Sequence, residues 1–497
     1  MLRQMVMAAP LRRHPRRLLK YTTSILFLCT CIILHKISFQ LVQDSKIANN
    51  VANQNSLIVS HLLLSQQPAN DNNHGIEPIS QTPVYILPQK YRPDRSGELK
   101  HLIQDGIERS RYLKATENRS EDGVVWFVDR LRAFGHDEYN NYCAHLFHLV
   151  NETYYERNFE SWKVILLDIT DFGGWSGLEN NEMTDNTIDQ IHRQCAHALS
   201  SILGRENVVV SIRSHNVKRN FYCFYKDWDK CEHCEYYKKY DPDFRQCFDE
   251  AEPFRNHMGE PVDYTKRKIA KFVANGSVLK AFYPVRSDIV DAMNSILGGE
   301  LYNITMKSDK SNNLALPDPV DIPRNGDVRH FWNHWHTHNY SMLRSRVSDA
   351  ILSLNETTDL MVHAGLAGDF AAPGRNFAHA EYVHAMLSYK IIVVSQRDEW
   401  EGHYRLMEAM ISGAMVMTDP MVYLPAGFED GFNVVVYTSI HDLKQKIQYY
   451  CRAEHEKERL TIARAGVDLV MSRHRSWHYM EDYILRDGRE LTMVSRR

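Results

Sequence analysis

The sequence has no large excess of charge of either sign, and it contains no internal repeat or long low-complexity tract. Its 59 Lys and Arg residues nearly balance 62 Asp and Glu residues, so the net charge is −3 over 497 residues. Without a basic excess the chain has no global field that attracts nucleic acid, and without an acidic excess it lacks the composition of a disordered polyanion. The length of 497 residues predicts about two globular domains with appendages, and a hydrophobic fraction of 43% is enough for sizeable cores.

Acidic residues are missing before Asp44, whereas basic residues crowd into the first 20 positions. The apolar run at residues 21–42 follows this basic segment without a small-residue cleavage site, which argues against a cleaved signal peptide. A buried core helix would leave the basic flank unexplained. We therefore predict a cytosolic tail at residues 1–20 and a signal-anchor transmembrane helix at residues 21–42. The body would then be lumenal, in a single-pass type II protein of the Golgi or endoplasmic reticulum membrane.

Cysteine is scarce, with nine residues in the chain, but four of them lie within 25 positions. One Cys-x2-Cys pair in this group is compatible with half of a zinc site, although zinc ribbons usually carry two. In an oxidising lumen, disulfides are the better prediction, with a connectivity that the sequence does not define. The candidates are Cys223, Cys231, Cys234 and Cys247.

Six Asn-x-Ser/Thr sequons agree with a lumenal body, because such sequons are acceptors for N-glycosylation in the secretory pathway. The candidate acceptors are Asn118, Asn151, Asn275, Asn303, Asn339 and Asn355.

The rest of the chain divides by composition and hydrophobic pattern. Residues 43–95 are rich in Asn, Gln, Ser and Pro, which predicts a stem. Residues 96–310 and 311–497 each predict a β/α domain, because short apolar runs alternate with helical patterns. A cysteine-rich insertion at residues 220–250 interrupts the first of these domains. The predicted strands are 124–128, 164–168, 208–212, 327–332, 359–363, 390–394, 414–418 and 433–437.

The residues from 390 to 420 have the pattern of a ligand site: a strand, a polar loop and a helix beginning near His403. Free N–H groups at a helix N-terminus favour a phosphate, and Gly402 allows a ligand to approach the backbone. Arg397 lies in the loop. Glu401, Arg405 and Glu408 follow one another at four and three positions, so we expect them to share one face. Arg405 is a candidate for the diphosphate and Glu408 for ribose hydroxyls, while an exposed salt bridge is the alternative.

Residues 404–419, YRLMEAMISGAMVMTD, resemble the C-terminal domain of group-1 glycosyltransferases, in the branch of the spore-maturation-protein type, with a more distant similarity to exostosins. The resemblance continues through residues 424–425, 433–437, 459–466 and 474–478, and it covers about residues 325–485. It implies an α/β fold of the GT-B type, with two Rossmann-like domains facing a cleft and a nucleotide-sugar donor in the C-terminal one.

The resemblance also assigns a place to Glu408, because the second Glu of the family's Glu-x7-Glu motif contacts the donor nucleotide. The place of the first Glu is occupied by Trp400, with Glu401 one position away. In the N-terminal half, Asp168 ends a predicted strand and Asp171 follows it, and a carboxylate at a strand end is well placed to abstract a proton. Turn formation is the alternative role for both. His403, beside Gly402, is a further catalytic candidate.

Two patterns resemble metal-binding motifs, but neither is specific enough to predict a metal site. Asp227 and Asp229 resemble the carboxylates of GT-A transferases, but this short pattern arises by chance and lies in the cysteine-rich insertion. His330, His334, His336 and His338 have a spacing that fits a metal only in an extended segment. We therefore predict a glycosyltransferase that needs no metal cofactor and acts on a glycan or glycoprotein acceptor. The alternative is a non-catalytic glycan-binding or scaffold protein of the same shape.

Overall fold

The computed structural model describes much of the chain from residue 80 onward. The described residues are 80–87, 103–129, 142–156, 163–168, 195–204, 207–212, 215–216, 219–220, 254–256, 278–280, 283–305, 317–332, 342–365, 378–396, 400–401, 404–421, 424–486 and 493–494. All described residues belong to one compact unit, Ile79–Arg497.

Strands and helices alternate along the described part of the chain. The strands are β1 (Thr82–Ile86), β2 (Leu113–Thr116), β3 (Val125–Asp129), β4 (Lys163–Asp168), β5 (Val208–Ile212), β6 (His215–Asn216), β7 (Arg219–Asn220), β8 (Arg255–Asn256), β9 (Val278–Lys280), β10 (Gly326–His330), β11 (Val362–Ala364), β12 (Tyr389–Val394), β13 (Trp400–Glu401), β14 (Met415–Thr418), β15 (Val435–Val436) and β16 (Met493–Val494). The helices are α1 (Asp105–Glu108), α2 (Tyr142–Glu156), α3 (195–203), α4 (Ser287–Thr305), α5 (Met342–Thr357), α6 (Ala380–Ser388), α7 (Arg405–Ile411), α8 (Ile440–Tyr450), α9 (Glu456–Arg473) and α10 (Ser476–Leu485).

Two sheets organise these elements. The first has seven strands in the order β16-β9-β5-β4-β3-β1-β2, and its strands are parallel except for β16, which pairs antiparallel with β9. The second has five parallel strands in the order β11-β10-β12-β14-β15. The α/β fold with parallel sheets that the apolar runs predict is therefore confirmed.

The strand order creates a crevice in each sheet. In the first sheet the chain runs from β1 outward to β2 and then returns to β3 on the other side of β1. In the second sheet it runs from β10 to β11 and returns to β12. Ligands of such open sheets bind outside the carboxyl ends of the two strands where the order reverses. In the second sheet that place is the end of β10 and of β12.

The apolar runs are continuous because both faces of each sheet are covered. In β12, Ile391 and Val393 pack into a core formed with α5 and α8, whereas Ile392 and Val394 pack on the opposite face with α6 and α7. This second core also contains Phe127 of β3 and other residues of the first sheet, so the two sheets share it. Successive side chains of a strand point to opposite faces, which explains this division.

The last helix attaches the C-terminal segment to the first sheet. Asp105 of α1 accepts hydrogen bonds from the hydroxyls of Ser287 and Ser476, which begin α4 and α10. Glu481 of α10 accepts a hydrogen bond from Ser110 at 2.7 Å. Residues far apart in the sequence are thereby joined at one place.

The strands predicted from the sequence are found within a few residues of their predicted bounds, but two segments differ from the predicted organisation. Residues 43–95 are predicted to be a stem, whereas Thr82–Ile86 is strand β1, with Val84 fully buried. The run TPVYI is short and contains proline, so its apolar character is easily overlooked. Met493–Val494, predicted in the C-terminal domain, forms the edge strand β16 of the first sheet.

The predicted anchor at residues 21–42 lies outside the described residues. Within the described stretches, no helix has the length and apolar character needed to cross a membrane.

The four clustered cysteines also lie outside the described residues. Cys195, in α3, is disulfide-bonded, and Cys451 is a free thiol.

Candidate functional site

The carboxyl group of Glu408 is the most unusual feature at the crevice of the second sheet. Glu408 lies in α7, which follows the loop after β12, and only 1% of its surface is exposed. Its Oε2 accepts a hydrogen bond of 2.8 Å from the hydroxyl of Tyr382. Its Oε1 is buried and has no hydrogen-bond partner among the described residues. A buried polar atom without a partner is costly, so such an atom in a folded protein calls for an explanation.

Burial also changes the ionisation of this carboxyl group. Burial raises the pKa of Glu408 from 4.5 to about 7, against the charges of Arg286 and Arg405 and the hydrogen bond from Tyr382, which lower it. A carboxyl group with a pKa near the working pH responds to a ligand that donates to it. The Glu408 side chain is therefore poised between its neutral and ionised forms.

Arg405, the first residue of α7, is largely engaged by the protein. Its Nε donates to the hydroxyl of Tyr382 at 3.2 Å, and its Nη1 donates to the backbone carbonyl of Phe331 at 2.6 Å. Its guanidinium also lies 5.7–5.8 Å from the ring centroids of Phe331, Tyr382 and Tyr404. These contacts position Arg405 within the site. Direct binding of a diphosphate by Arg405 stays a prediction.

A second arginine reaches the site from the first β/α half. Arg286, which precedes α4, is buried and donates from Nε and Nη2 to the two carboxyl oxygens of Asp288, at 2.9 and 2.5 Å. Burial acts to lower the pKa of Arg286, but Asp288 and the charge of Glu408 outweigh it, so its pKa is raised. Tyr283, nearby in the chain, packs edge-on against Tyr404. Glu408 thus lies where the two halves meet.

His330 ties the elements of the crevice together. At the end of β10, its Nδ1 is 2.9 Å from Ser348 Oγ in α5, and its Nε2 is 2.8 Å from Ser395 Oγ after β12. Burial, together with the charges of nearby arginines, holds the pKa of His330 well below its usual range, so the ring is neutral. With both nitrogens engaged in these hydrogen bonds, His330 acts as a bridge between elements.

The loop that leads to α7 is fixed at its start. Arg344 donates from Nε to the carbonyl of Ser395 at 3.0 Å, and the backbone N–H of Gln396 donates to Oδ1 of Asp419 at 2.7 Å. Asp419 is itself fully buried at the end of β14. The strand ends therefore define the position of the chain up to residue 396.

The predicted site residues are only partly brought together. Arg405 and Glu408 lie side by side, but Glu401 is not on their helix: it belongs to β13, which pairs antiparallel with β6. The helix begins at Arg405 because Trp400 and Glu401 take an extended conformation against His215 and Asn216. The predicted common face of Glu401, Arg405 and Glu408 is therefore wrong.

The side-chain positions of the other predicted site residues relative to Arg405 and Glu408 are outside what the structure describes. Asp168 ends β4 in the first sheet, and its side chain lies outside the described residues. Asp171, Arg397, Gly402 and His403 also lie outside them.

The sequence reasoning missed Tyr382 and Arg286, which contact or face Glu408. Neither residue belongs to an element that the hydrophobic pattern identified, since α6 and α4 were not predicted. Tyr382 is the third residue of the apolar helical run AEYVHAMLS. A polar hydroxyl in such a run is the signal that could have indicated it.

The sequons differ in accessibility. Asn118 lies in an exposed turn and Asn355 in the exposed last turn of α5. Asn151 is half-buried within α2, and its sequon partner Thr153 is buried and donates to the carbonyl of Leu149. Asn303 lies in α4, but its side chain is outside the described part of the structure. Asn275 and Asn339 lie outside the described residues. The geometry favours Asn118 and Asn355 as acceptors.

The part of the chain that matches a known protein family includes this site. A family described as glycosyl transferase-like matches residues 350–484, which include Tyr382, Arg405 and Glu408. The resemblance of the C-terminal third to glycosyltransferases is therefore confirmed, and residues 350–484 form a glycosyl transferase-like domain. No curated protein matches the sequence.

Three of the solved structures with a similar course of the chain are as follows. TarM of S. aureus is 11% identical with a TM-score of 0.35, and the match covers 74% of this chain and 56% of TarM. A glycosyltransferase from Rickettsia africae ESF-5 is 11% identical with a TM-score of 0.40, covering 82% and 97%. Anabaena Alr3699/HepE, solved with UDP and glucose, is 10% identical with a TM-score of 0.33, covering 82% and 99%.

The raised pKa of Glu408 predicts a specific dependence of stability on pH. Because the pKa is about 7 in the folded protein and 4.5 in the ordinary case, the folded state disfavours ionisation. The free energy of unfolding should therefore fall as pH rises from about 4.5 to about 7, by up to about 3 kcal/mol. Glu408→Gln cannot ionise and should lack this fall. Chemical denaturation across this pH range measures it, with the exposed Glu356→Gln as control. Equal pH dependence in the wild type and Glu408→Gln would contradict the shift.

Proposed function

We propose that this chain is a glycosyltransferase of the GT-B type that moves a sugar from a nucleotide-sugar donor to a glycan or glycoprotein. The domain match supports the transferase class, and the two parallel sheets with their crevices suit a donor at the carboxyl ends of β10 and β12. The buried Oε1 of Glu408 is the observation that carries the proposal. A carboxylate oxygen without a partner is suited to accept hydrogen bonds from the hydroxyls of a bound nucleotide.

The charges around the crevice suit a leaving diphosphate. The charges of Arg344, Arg405 and Arg329 all act, after burial, to lower the pKa of His330, so three cations lie near the end of β10. Fixed positive charge stabilises the negative charge that develops as a sugar leaves its diphosphate. We therefore propose that the reaction needs no divalent metal, and that the elements around the crevice supply the charge instead.

Turnover with a panel of UDP- and GDP-sugars tests the proposed activity. We expect release of the nucleotide with at least one donor, undiminished by EDTA. Glu408→Gln should lower kcat/KM for the donor roughly 10- to 100-fold, because it loses a charge-assisted hydrogen bond. Glu356→Gln, at an exposed position of α5, should behave as the wild type.

Three outcomes would redirect the proposal. Activity that disappears with EDTA and returns with Mn²⁺ would favour the Asp227 and Asp229 alternative. Glycan binding without turnover of any donor would favour the non-catalytic scaffold. Full activity in Glu408→Gln would move the donor site away from α7.

We propose further that the chain is anchored in the Golgi or endoplasmic reticulum membrane, with the body in the lumen. The basic segment and apolar run at residues 1–42 support this orientation, as do the exposed sequons at Asn118 and Asn355 and the disulfide at Cys195. A reducing cytosol would not maintain such a disulfide.

Protease protection in sealed microsomes tests the orientation. We expect the C-terminal domain to survive digestion until detergent opens the vesicles, and glycosidase treatment to increase its mobility in gels. Digestion of that domain without detergent would contradict the lumenal orientation. Substitution of Asn118 and Asn355 by Gln should remove the glycosidase-sensitive shift if these two positions carry the glycans.

A further inference from the structure

A single hydroxyl connects the two charged side chains of the site. The hydroxyl of Tyr382 donates its proton to Oε2 of Glu408 at 2.8 Å and accepts a hydrogen bond from Nε of Arg405 at 3.2 Å. Because a phenol has only one proton to donate, its use for Glu408 fixes the direction of both hydrogen bonds. Oε2 of Glu408 is thereby occupied by the protein, whereas Oε1 is left for another donor.

The surroundings of Tyr382 keep this hydroxyl in place. Its ring packs edge-on against Phe331, with 5.2 Å between centroids, and the Arg405 guanidinium lies 5.7 Å from its centroid. Its neighbour in α6, Val383, is fully buried in the shared core. A side chain held by packing and by two hydrogen bonds can orient a partner with little loss of entropy on ligand binding.

We propose that Tyr382 is a positioning residue for the donor site: it holds the Glu408 carboxyl group by Oε2 so that Oε1 accepts a hydrogen bond from a nucleotide hydroxyl. This role rests on the proposed function, since it assigns the ligand of Oε1 to the donor. Tyr382 itself does not contact the reacting atoms.

The charged groups around Glu408 come from three elements. Arg286 and Asp288 face it from the start of α4, Tyr382 from α6 and Arg405 from α7. Burial raises the pKa of Glu408, while Arg286, the Tyr382 hydrogen bond and Arg405 lower it and Asp288 raises it. Burial also raises the pKa of Tyr382 well above its usual range, so the phenol keeps the proton that it donates. Loss of the hydroxyl should consequently raise the pKa of Glu408 further.

Donor kinetics of Tyr382→Phe as a function of pH test this role. The substitution removes the hydroxyl and keeps the ring, so the packing on Phe331 survives. We expect the acid limb of kcat/KM for the donor to move up by about one pH unit, which lowers kcat/KM about fivefold at pH 7. The effect should lie mainly in KM and should diminish toward about pH 9, where Glu408 is ionised in both proteins.

Tyr389→Phe is a matched control. Tyr389 is also buried, and its hydroxyl bonds to a titratable group and an arginine, lying 2.8 Å from His363 Nδ1 and 3.4 Å from Arg329 Nη1. Within the described part of the chain, neither its hydrogen bonds nor its ring contacts involve Glu408. Its acid limb should coincide with that of the wild type, so a shift common to both variants would overturn the positioning role.

A ligand-free measurement separates this proposal from the proposed function. The fall in unfolding free energy caused by Glu408 should extend to higher pH in Tyr382→Phe than in the wild type, and should be absent from Glu408→Gln. If this fall does not move while the wild type turns over a donor, the role of Tyr382 is overturned and the function stands. If this fall moves to higher pH but the wild type uses no donor, Tyr382 lowers the pKa of Glu408 but the proposed function fails. The positioning role, which depends on that function, then fails too.

Discussion

The burial of the Glu408 carboxyl group is the constraint on which the rest of the site depends. One of its oxygens is hydrogen-bonded by Tyr382, and the other has no partner among the described residues. Burial disfavours the charge, and Arg286 and Arg405 offset only part of this effect. Such an arrangement reduces stability in the free protein, as strained or unsatisfied groups at functional sites often do. A ligand that donates to Oε1 would relieve it.

The fold supplies what this carboxyl group requires. Glu408 and Arg405 come from α7, Tyr382 from α6 and Arg286 from the segment before α4, so the site exists only when both β/α halves are folded. The shared apolar core, which includes Phe127 of the first sheet and Ile392 of the second, holds these elements at fixed positions. Packing of this density transmits small displacements, so changes in the core should affect the carboxyl group as well.

The sequence predicted the sheets better than the site. Runs such as residues 390–394 are unambiguous because a strand covered on both faces must be apolar throughout. Glu408 was found through its family place. The sequence did not predict that Glu408 is buried or that it bonds to Tyr382. Hydrogen bonds between α6 and α7 leave no periodic pattern in the chain. Glu401 was placed on the same face as Arg405 and Glu408 because the helical spacing was applied to residues before Arg405. In the structure, Glu401 belongs to β13, whose pairing with His215–Asn216 gives it an extended conformation. Such non-local pairings override local propensity.

The claim that Glu408 is a ligand-responsive carboxyl group can be tested by infrared difference spectroscopy at about pH 7, a pH at which most other carboxyl groups are ionised. UDP and GDP serve as probes. Binding should remove a protonated-carboxyl band and add a carboxylate band, because hydroxyl donation to Oε1 favours the ionised form. Glu408→Gln should lack both changes. Binding of either nucleotide to the wild-type protein with no carboxyl change, or with the same change in Glu408→Gln, would contradict the account.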